Sequence, residues 1–131
     1  MSWENEYKSK LTTAEKAVEL IKSGNRVVIG HACAEPSYLV DAMVANAESY
    51  HDVEIVHMVA MGKAGYAQPG MESHFRHNAL FVGGTTRKAV AEGRGDYTPC
   101  FFYRIPSLFT NGSLPVDVAL VQATPPDENG N

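Results

Sequence analysis

Residues 27–43, VVIGHACAEPSYLVDAM, hold the densest set of groups able to do chemistry. A β-branched run ends at Gly30, and His31, Cys33, Glu35 and Pro36 follow at once. Glu35 has the chemistry of a general base or nucleophile, His31 that of a proton carrier, and Cys33 that of a thiolate nucleophile. Gly30, Ala32 and Ala34 would let a ligand approach the backbone closely. Free amides at the start of the following helix would favour an anion or a polarised carbonyl. Each group also has a plain structural use. Glu35 can accept hydrogen bonds at the helix N-terminus, His31 can fill a strand end, and Cys33 can be a buried apolar thiol. No partner carboxylate or base stands at a diagnostic spacing, so residue types alone favour the structural uses.

Three other stretches carry chemical potential. FVGGTTRKAV (81–90) resembles a phosphate cradle, with Arg87 and Lys88 as candidate phosphate contacts. It lacks both the lysine–hydroxyl ending of a P-loop and a GxGxxG, so Gly83 and Gly84 read as a tight turn and the threonines as caps. His74 and His77 are three apart, but a zinc site needs three or four convergent ligands and Arg76 between them repels a cation. They read as surface histidines, and no metal site is expected. Tyr97, Phe101, Phe102, Tyr103 and Phe109 form an aromatic-rich segment. Stacking on a nucleobase is one use for it. Burial under a sheet or against another domain fits better, because such a surface is costly to leave wet.

Regular elements must position these groups. TTAEKAVELIKSGN predicts a helix capped by Thr12, with Glu15 completing a capping box, an apolar face of Ala14, Ala17, Val18 and Ile21, and a stop at Gly24. RVVIG is a short buried strand, and Pro36 suits the first turn of a helix running through Tyr38, Leu39, Val40, Met43 and Val44. VEIVHMVAM (53–61) predicts a second strand, ALFVGG (79–84) a third, and residues 62–78 between them a long loop with one helical turn. A short helix opened by Thr85 or Thr86, another around 107–110, and a last strand in VDVALVQAT (116–124) complete the order. This alternation predicts an α/β fold: a mostly parallel sheet with helices on both faces and ligands beyond the carboxyl ends of its strands. GHACAEP follows such an end.

At 131 residues the chain is one domain's worth, with an ordinary 44% hydrophobic and 20% charged content. A net charge of -4 disfavours nucleic acid as a partner. Two cysteines, no membrane-length apolar run and no signal-like N-terminus predict a reduced, cytoplasmic setting without membrane association. NGS at 111–113 and RGD at 94–96 read as a turn and a chance match.

TAEKAVELIKSGNRVVIGHACAEPSYLVDAM, GDYTPCFFYRIPSLF and, above all, LPVDVALVQATPPDENG resemble, in order and spacing, the N-terminal part of the acetyl-CoA hydrolase and acetate or 4-hydroxybutyrate CoA-transferase family. The GHACAEP form is similar to the butyrate and 4-hydroxybutyrate branch. The resemblance implies a two-domain enzyme with related α/β halves that moves CoA between an acyl-CoA and a carboxylic acid such as acetate. A glutamate attacks the thioester, passing through an acyl anhydride to a glutamyl-CoA thioester that a second carboxylate reverses. Exclusion of water preserves the thioester's energy.

The resemblance places that glutamate and the glycine-rich CoA-binding motif in a C-terminal half absent from residues 1–131, and an ending soon after a buried strand reads as truncation. It therefore implies no catalytic residue here. Gly30, His31, Ala32, Glu35 and Pro36 become candidate walls of the substrate pocket, with Glu35 not the nucleophile. It also implies a CoA thioester as substrate, no tightly bound cofactor, the chain's own C-terminal domain as a partner, and a homo-oligomeric full enzyme. An acetyl-CoA hydrolase, a non-catalytic interaction module docking through the aromatic segment, and a sugar-phosphate isomerase of similar topology are the alternatives. The last is disfavoured by the lack of a clear cationic phosphate site.

Overall fold

A computed structural model describes residues 2–131. Its centre is β2 (Val53–His57), whose apolar Val53, Ile55 and Val56 are almost fully buried. Apolar residues on both faces are what a parallel strand covered on both sides requires. On one side β2 pairs with β3 (Phe75–Ala79) and on the other with β1 (Arg26–Ile29); β4 (Gly95–Tyr97) and β5 (Val118–Leu120) form the edges. All pairings are parallel, in the order β4-β3-β2-β1-β5. The expected α/β class and parallel sheet are therefore present.

Side chains alternate across this sheet and create two unequal cores. Val27, Ile29, Val53, Ile55 and Phe75 meet α2 (Ala14–Val18) and α3 (Ser37–Ala45) through Val18, Val40 and Met43. Ala89 of α4 (Arg87–Ala91) joins the same layer. On the other face Val28, Val56 and Leu80 meet Leu114 and the half-buried Ile105, Leu108 and Phe109 around α5 (Ile105–Thr110). The N-terminal helix α1 (Trp3–Lys10) buries no residue and carries an exposed Glu6–Lys10 pair.

Several local expectations change. The α2 cap is Thr13, whose hydroxyl accepts from the Lys16 amide, so Thr12 does not cap and Glu15 sits too early to close a capping box. Pro36 stands one residue before α3. The second strand stops at His57, where the chain turns off toward Met61. The third strand is FRHNA rather than ALFVGG. Asn78 in it is satisfied internally, donating to Glu54 at 2.8 Å and accepting from Thr98 at 2.8 Å, whereas Phe81 is 59% exposed. The three-residue β4 was not anticipated. His77 is fully buried instead of superficial, and Cys33 is exposed instead of buried.

The strand assignment makes a direct prediction. Phe75→Ala is expected to cost about 3–5 kcal/mol by urea denaturation, whereas Phe81→Ala should stay within about 0.5 kcal/mol. The reverse order would restore the apolar ALFVGG stretch as the strand.

Candidate functional site

The chain advances from β1 to β4 in one direction across the sheet and then places β5 on the other side of β1. Ligands of open parallel sheets gather beyond strand ends near such a reversal. Two loops leave the sheet there: residues 30–36 after β1 and residues 58–64 after β2. Ala32 in the first and Ala64 in the second have positive φ, 54° and 45°. Left-handed backbone costs a non-glycine residue roughly 1–3 kcal/mol and persists only where its surroundings dictate it.

Those surroundings are specific. The Ala32 amide donates to the Val59 carbonyl at 3.1 Å. Oε2 of Glu35, which is buried, accepts from the Met61 amide at 2.8 Å and the Gly62 amide at 3.0 Å. Gly62 is required by this approach, since a Cβ there would lie 2.4 Å from Glu35 Oε1. Behind the carboxylate, Nε2 of buried His57 stands 3.9 Å from Glu35 Oε2 and its Nδ1 is 2.7 Å from the Tyr66 hydroxyl. Burial lowers the His57 pKa, an effect partly opposed by Glu35; burial, reinforced by Glu35, raises that of Tyr66. Burial also pushes His77, which packs on the Tyr66 ring, down to about 4.

An apolar cavity of about 270 Å³ lies between the strand ends and α5, walled by Val28, Val56, Met58, Leu80 and Phe109, with His31 and Tyr103 as its polar side chains. An apolar cleft with few polar groups is the usual form of a small-molecule site. A second, shallower cavity lies between the β1 and β5 exits, where Pro36 and Tyr38 face Val121 and Gln122.

The sequence-selected residues thus separate. His31 lines the apolar cavity and Pro36 the shallow one. The space left by Gly30 is filled by the chain itself, with the Ala34 carbonyl 2.9 Å from where its Cβ would be. Ala32 ties the two loops together, and Glu35 faces inward to amides of the second loop rather than to the α3 N-terminus. Arg87 and Lys88 are exposed on α4 outside both cavities, and Lys88 lies 3.7 Å from Glu92. Thr86 is buried but does not cap α4 through its side chain. Among the described residues no group of three or more His, Cys, Asp or Glu could hold a metal ion. Sequence reasoning missed His57, Met58, Gly62 and Tyr66; the signal for His57 was an imidazole directly after the apolar pair Ile55 and Val56.

These features define a parallel α/β domain with an apolar cavity at its strand ends. The whole chain, residues 1–131, matches the acetyl-CoA hydrolase/transferase N-terminal domain, and the chain belongs to that family. It is 62% identical over 130 residues to a 4-hydroxybutyrate coenzyme A transferase of Clostridium kluyveri, covering 99% of this chain and 30% of that protein. A butyryl-CoA:acetate CoA-transferase of Anaerostipes caccae is 31% identical over 131 residues, covering 99% of this chain and 29% of the relative. The chain thus spans about 30% of the length of these curated relatives.

The crystal structure of a 4-hydroxybutyrate CoA-transferase from Porphyromonas gingivalis superposes with a TM-score of 0.76 at 32% identity, covering 98% of this chain and 28% of that one. RipA from Yersinia pestis shares the fold with a TM-score of 0.89 at 24% identity, covering 99% and 32% of the two chains. No helix among the described residues is long and apolar enough to cross a membrane.

Two outcomes follow from this geometry. Gly62→Ala should cost about 1–3 kcal/mol in chemical denaturation, because the pinned Glu35 carboxylate must move, whereas Gly84→Ala, with nothing near its Cβ position, should be close to neutral. The buried imidazoles also set a pH dependence. Between the ordinary histidine value of 6.5 and about 4, the unfolded chain takes up a proton at His77 that the folded chain refuses. Stability should therefore be full above pH 6.5 and fall as pH drops toward 4, with His77 contributing on the order of 3 kcal/mol. His57 acts in the same direction, and the nearby Asp96 opposes the shift of His77. Urea midpoints from pH 7.5 to 4.5 should show this decline, and His77→Gln should flatten it.

Proposed function

We propose that this chain is the N-terminal domain of a cytoplasmic CoA-transferase that exchanges CoA between butyryl-CoA or 4-hydroxybutyryl-CoA and acetate. The reading rests above all on the 62% identity to a 4-hydroxybutyrate coenzyme A transferase along nearly the entire chain. The family's name spans hydrolysis and transfer, but the 4-hydroxybutyrate and butyryl-CoA relatives are named as transferases, which favours transfer over acetyl-CoA hydrolysis.

In this reading the apolar cavity takes the acyl chain. A cavity of roughly 150 Å³ already accepts benzene, so about 270 Å³ suits a chain of a few carbons. His31 offers a hydrogen bond to a polar group on that chain, with the Tyr103 hydroxyl on the same wall. Gly30 and Ala32 shape the loop that carries His31, and Pro36 lines the adjoining shallow cavity. Glu35 is unsuited to attack a thioester, being buried and engaged by two amides. The nucleophile is instead a glutamate of a C-terminal domain, forming a glutamyl-CoA intermediate. Arg87 and Lys88, exposed on α4, are available to the phosphates of CoA, which is a substrate and not a resident cofactor. The exposed aromatic segment fits a contact with the C-terminal domain or with another subunit of a homo-oligomer.

The test is CoA transfer from butyryl-CoA to acetate by the 131-residue chain, alone and combined with the C-terminal portion of a longer relative. The expected result is no transfer alone and acetyl-CoA formation on combination. Release of free CoA without acetyl-CoA would indicate hydrolysis. Turnover by the chain alone would overturn the assignment and make Glu35 the first carboxylate to replace.

A further inference from the structure

Three buried side chains converge behind the two strand-exit loops without touching the apolar cavity: Glu35, His57 and Tyr66. Buried polar groups are normally satisfied, and each exception requires an account. His57 Nε2 is one of two buried side-chain polar atoms among the described residues that lack a hydrogen-bond partner; His77 Nε2 is the other. The ring lies beside the Gly30 backbone and the Glu35 carboxylate, both of which favour its protonated form against burial. Glu35 Oε2 is 3.9 Å away, too far for a hydrogen bond but close enough for charge attraction in a medium of low dielectric.

Tautomer logic orders the cluster. The Tyr66 hydroxyl, 2.7 Å from His57 Nδ1, has a proton to donate, and donating it leaves Nδ1 as the acceptor. The neutral ring then carries its proton on Nε2, facing the carboxylate. Glu35 in turn spends its Oε2 on the Met61 and Gly62 amides. One continuous line therefore runs from Tyr66, beyond the second loop, through the last residue of β2, to a side chain of the first loop, and back to the second loop's backbone.

We propose that Glu35, oriented by His57 and Tyr66, is a positioning residue that locks the β1 and β2 exit loops together and so fixes His31 and Met58 at the cavity wall. The importance of that wall for acyl binding rests on the function proposed above; the lock itself does not. Three hydrogen bonds close the seam, Ala32 to Val59 and the Met61 and Gly62 amides to Glu35. The positive φ angles of Ala32 and Ala64 fall within the same loops, where backbone held off its preferred conformation needs such a clamp.

The lock can be read in the full 131-residue chain by NMR, with no substrate. Imidazole nitrogen shifts should show His57 as the neutral Nε2–H tautomer, and Tyr66→Phe should convert it to a tautomer mixture. Glu35→Gln keeps the volume and one carbonyl acceptor but loses the charge facing His57. It should speed amide exchange at Met61 and Gly62 at least tenfold and shift the Met58 methyl and His31 signals, while β1, β2 and β3 amides keep their protection. Unchanged loop exchange, a uniform acceleration that includes the strands, or an Nδ1–H tautomer in the parent chain would overturn the proposal.

Activity supplies a separate readout in the combined enzyme. Glu35→Gln should raise KM for butyryl-CoA about tenfold and leave kcat within twofold. Absence of CoA transfer by the parent enzyme would refute the proposed function while leaving the exchange and tautomer results to judge the lock.

Discussion

The structure depends on β2 being buried from both sides. Its backbone pairs with β1 and β3, while Val53 and Ile55 enter one core and Val56 the other. A parallel strand cannot reach its neighbour through a tight hairpin, so each connection must cross over a face and cover it. That requirement accounts for α3 between β1 and β2 and α4 between β3 and β4, and it leaves every strand exit on one edge. The loops that form the candidate site are the unpaired ends of this arrangement, and their chemistry follows from where β1 and β2 stop.

A buried carboxylate at such an edge is costly unless its oxygens are satisfied. Here two consecutive amides of the neighbouring loop satisfy Glu35, and those amides would themselves lack partners without it. The arrangement is reciprocal: the carboxylate is tolerated because the second loop turns back, and the loop turns back because Gly62 has no side chain to collide with Glu35. A charged residue that a sequence reading places naturally at a reacting centre is, by this geometry, directed into the protein. The imidazole that faces the cavity is His31, one residue beyond Gly30.

The fold class, the β1 and β2 strands, α3 and the position of the candidate loop were legible because β-branched runs and helical periodicity agree with their burial. The third strand was not. FRHNA reads as polar, since its stability comes from Asn78 bonding with Glu54 and Thr98, residues 24 and 20 positions away. Phe81, which made ALFVGG look like a core strand, lies beyond the strand end. Similarly, His31 and Glu35 stood out by type, but only tertiary contact reveals that one faces a cavity and the other a pair of amides. His57 and Tyr66, nine residues apart, carried no spacing signal because a strand exit and a turn bring them together.

The two faces of the sheet differ in a way that suits binding. The α2–α3 face is closed by fully buried Val18 and Met43, whereas the opposite face is covered by α5, only six residues long and without a fully buried side chain. Regions with few buried apolar contacts open at lower free energy than the core around them. The apolar cavity lies beneath that lightly held cover, with Phe101 and Tyr103 stacked and exposed at its approach. Its floor belongs to the rigid sheet and its His31 corner to the seam locked by Glu35. One wall is therefore held by the sheet while the other has few buried contacts, a division that lets a site hold one end of a ligand in place and still accept ligands of different shape.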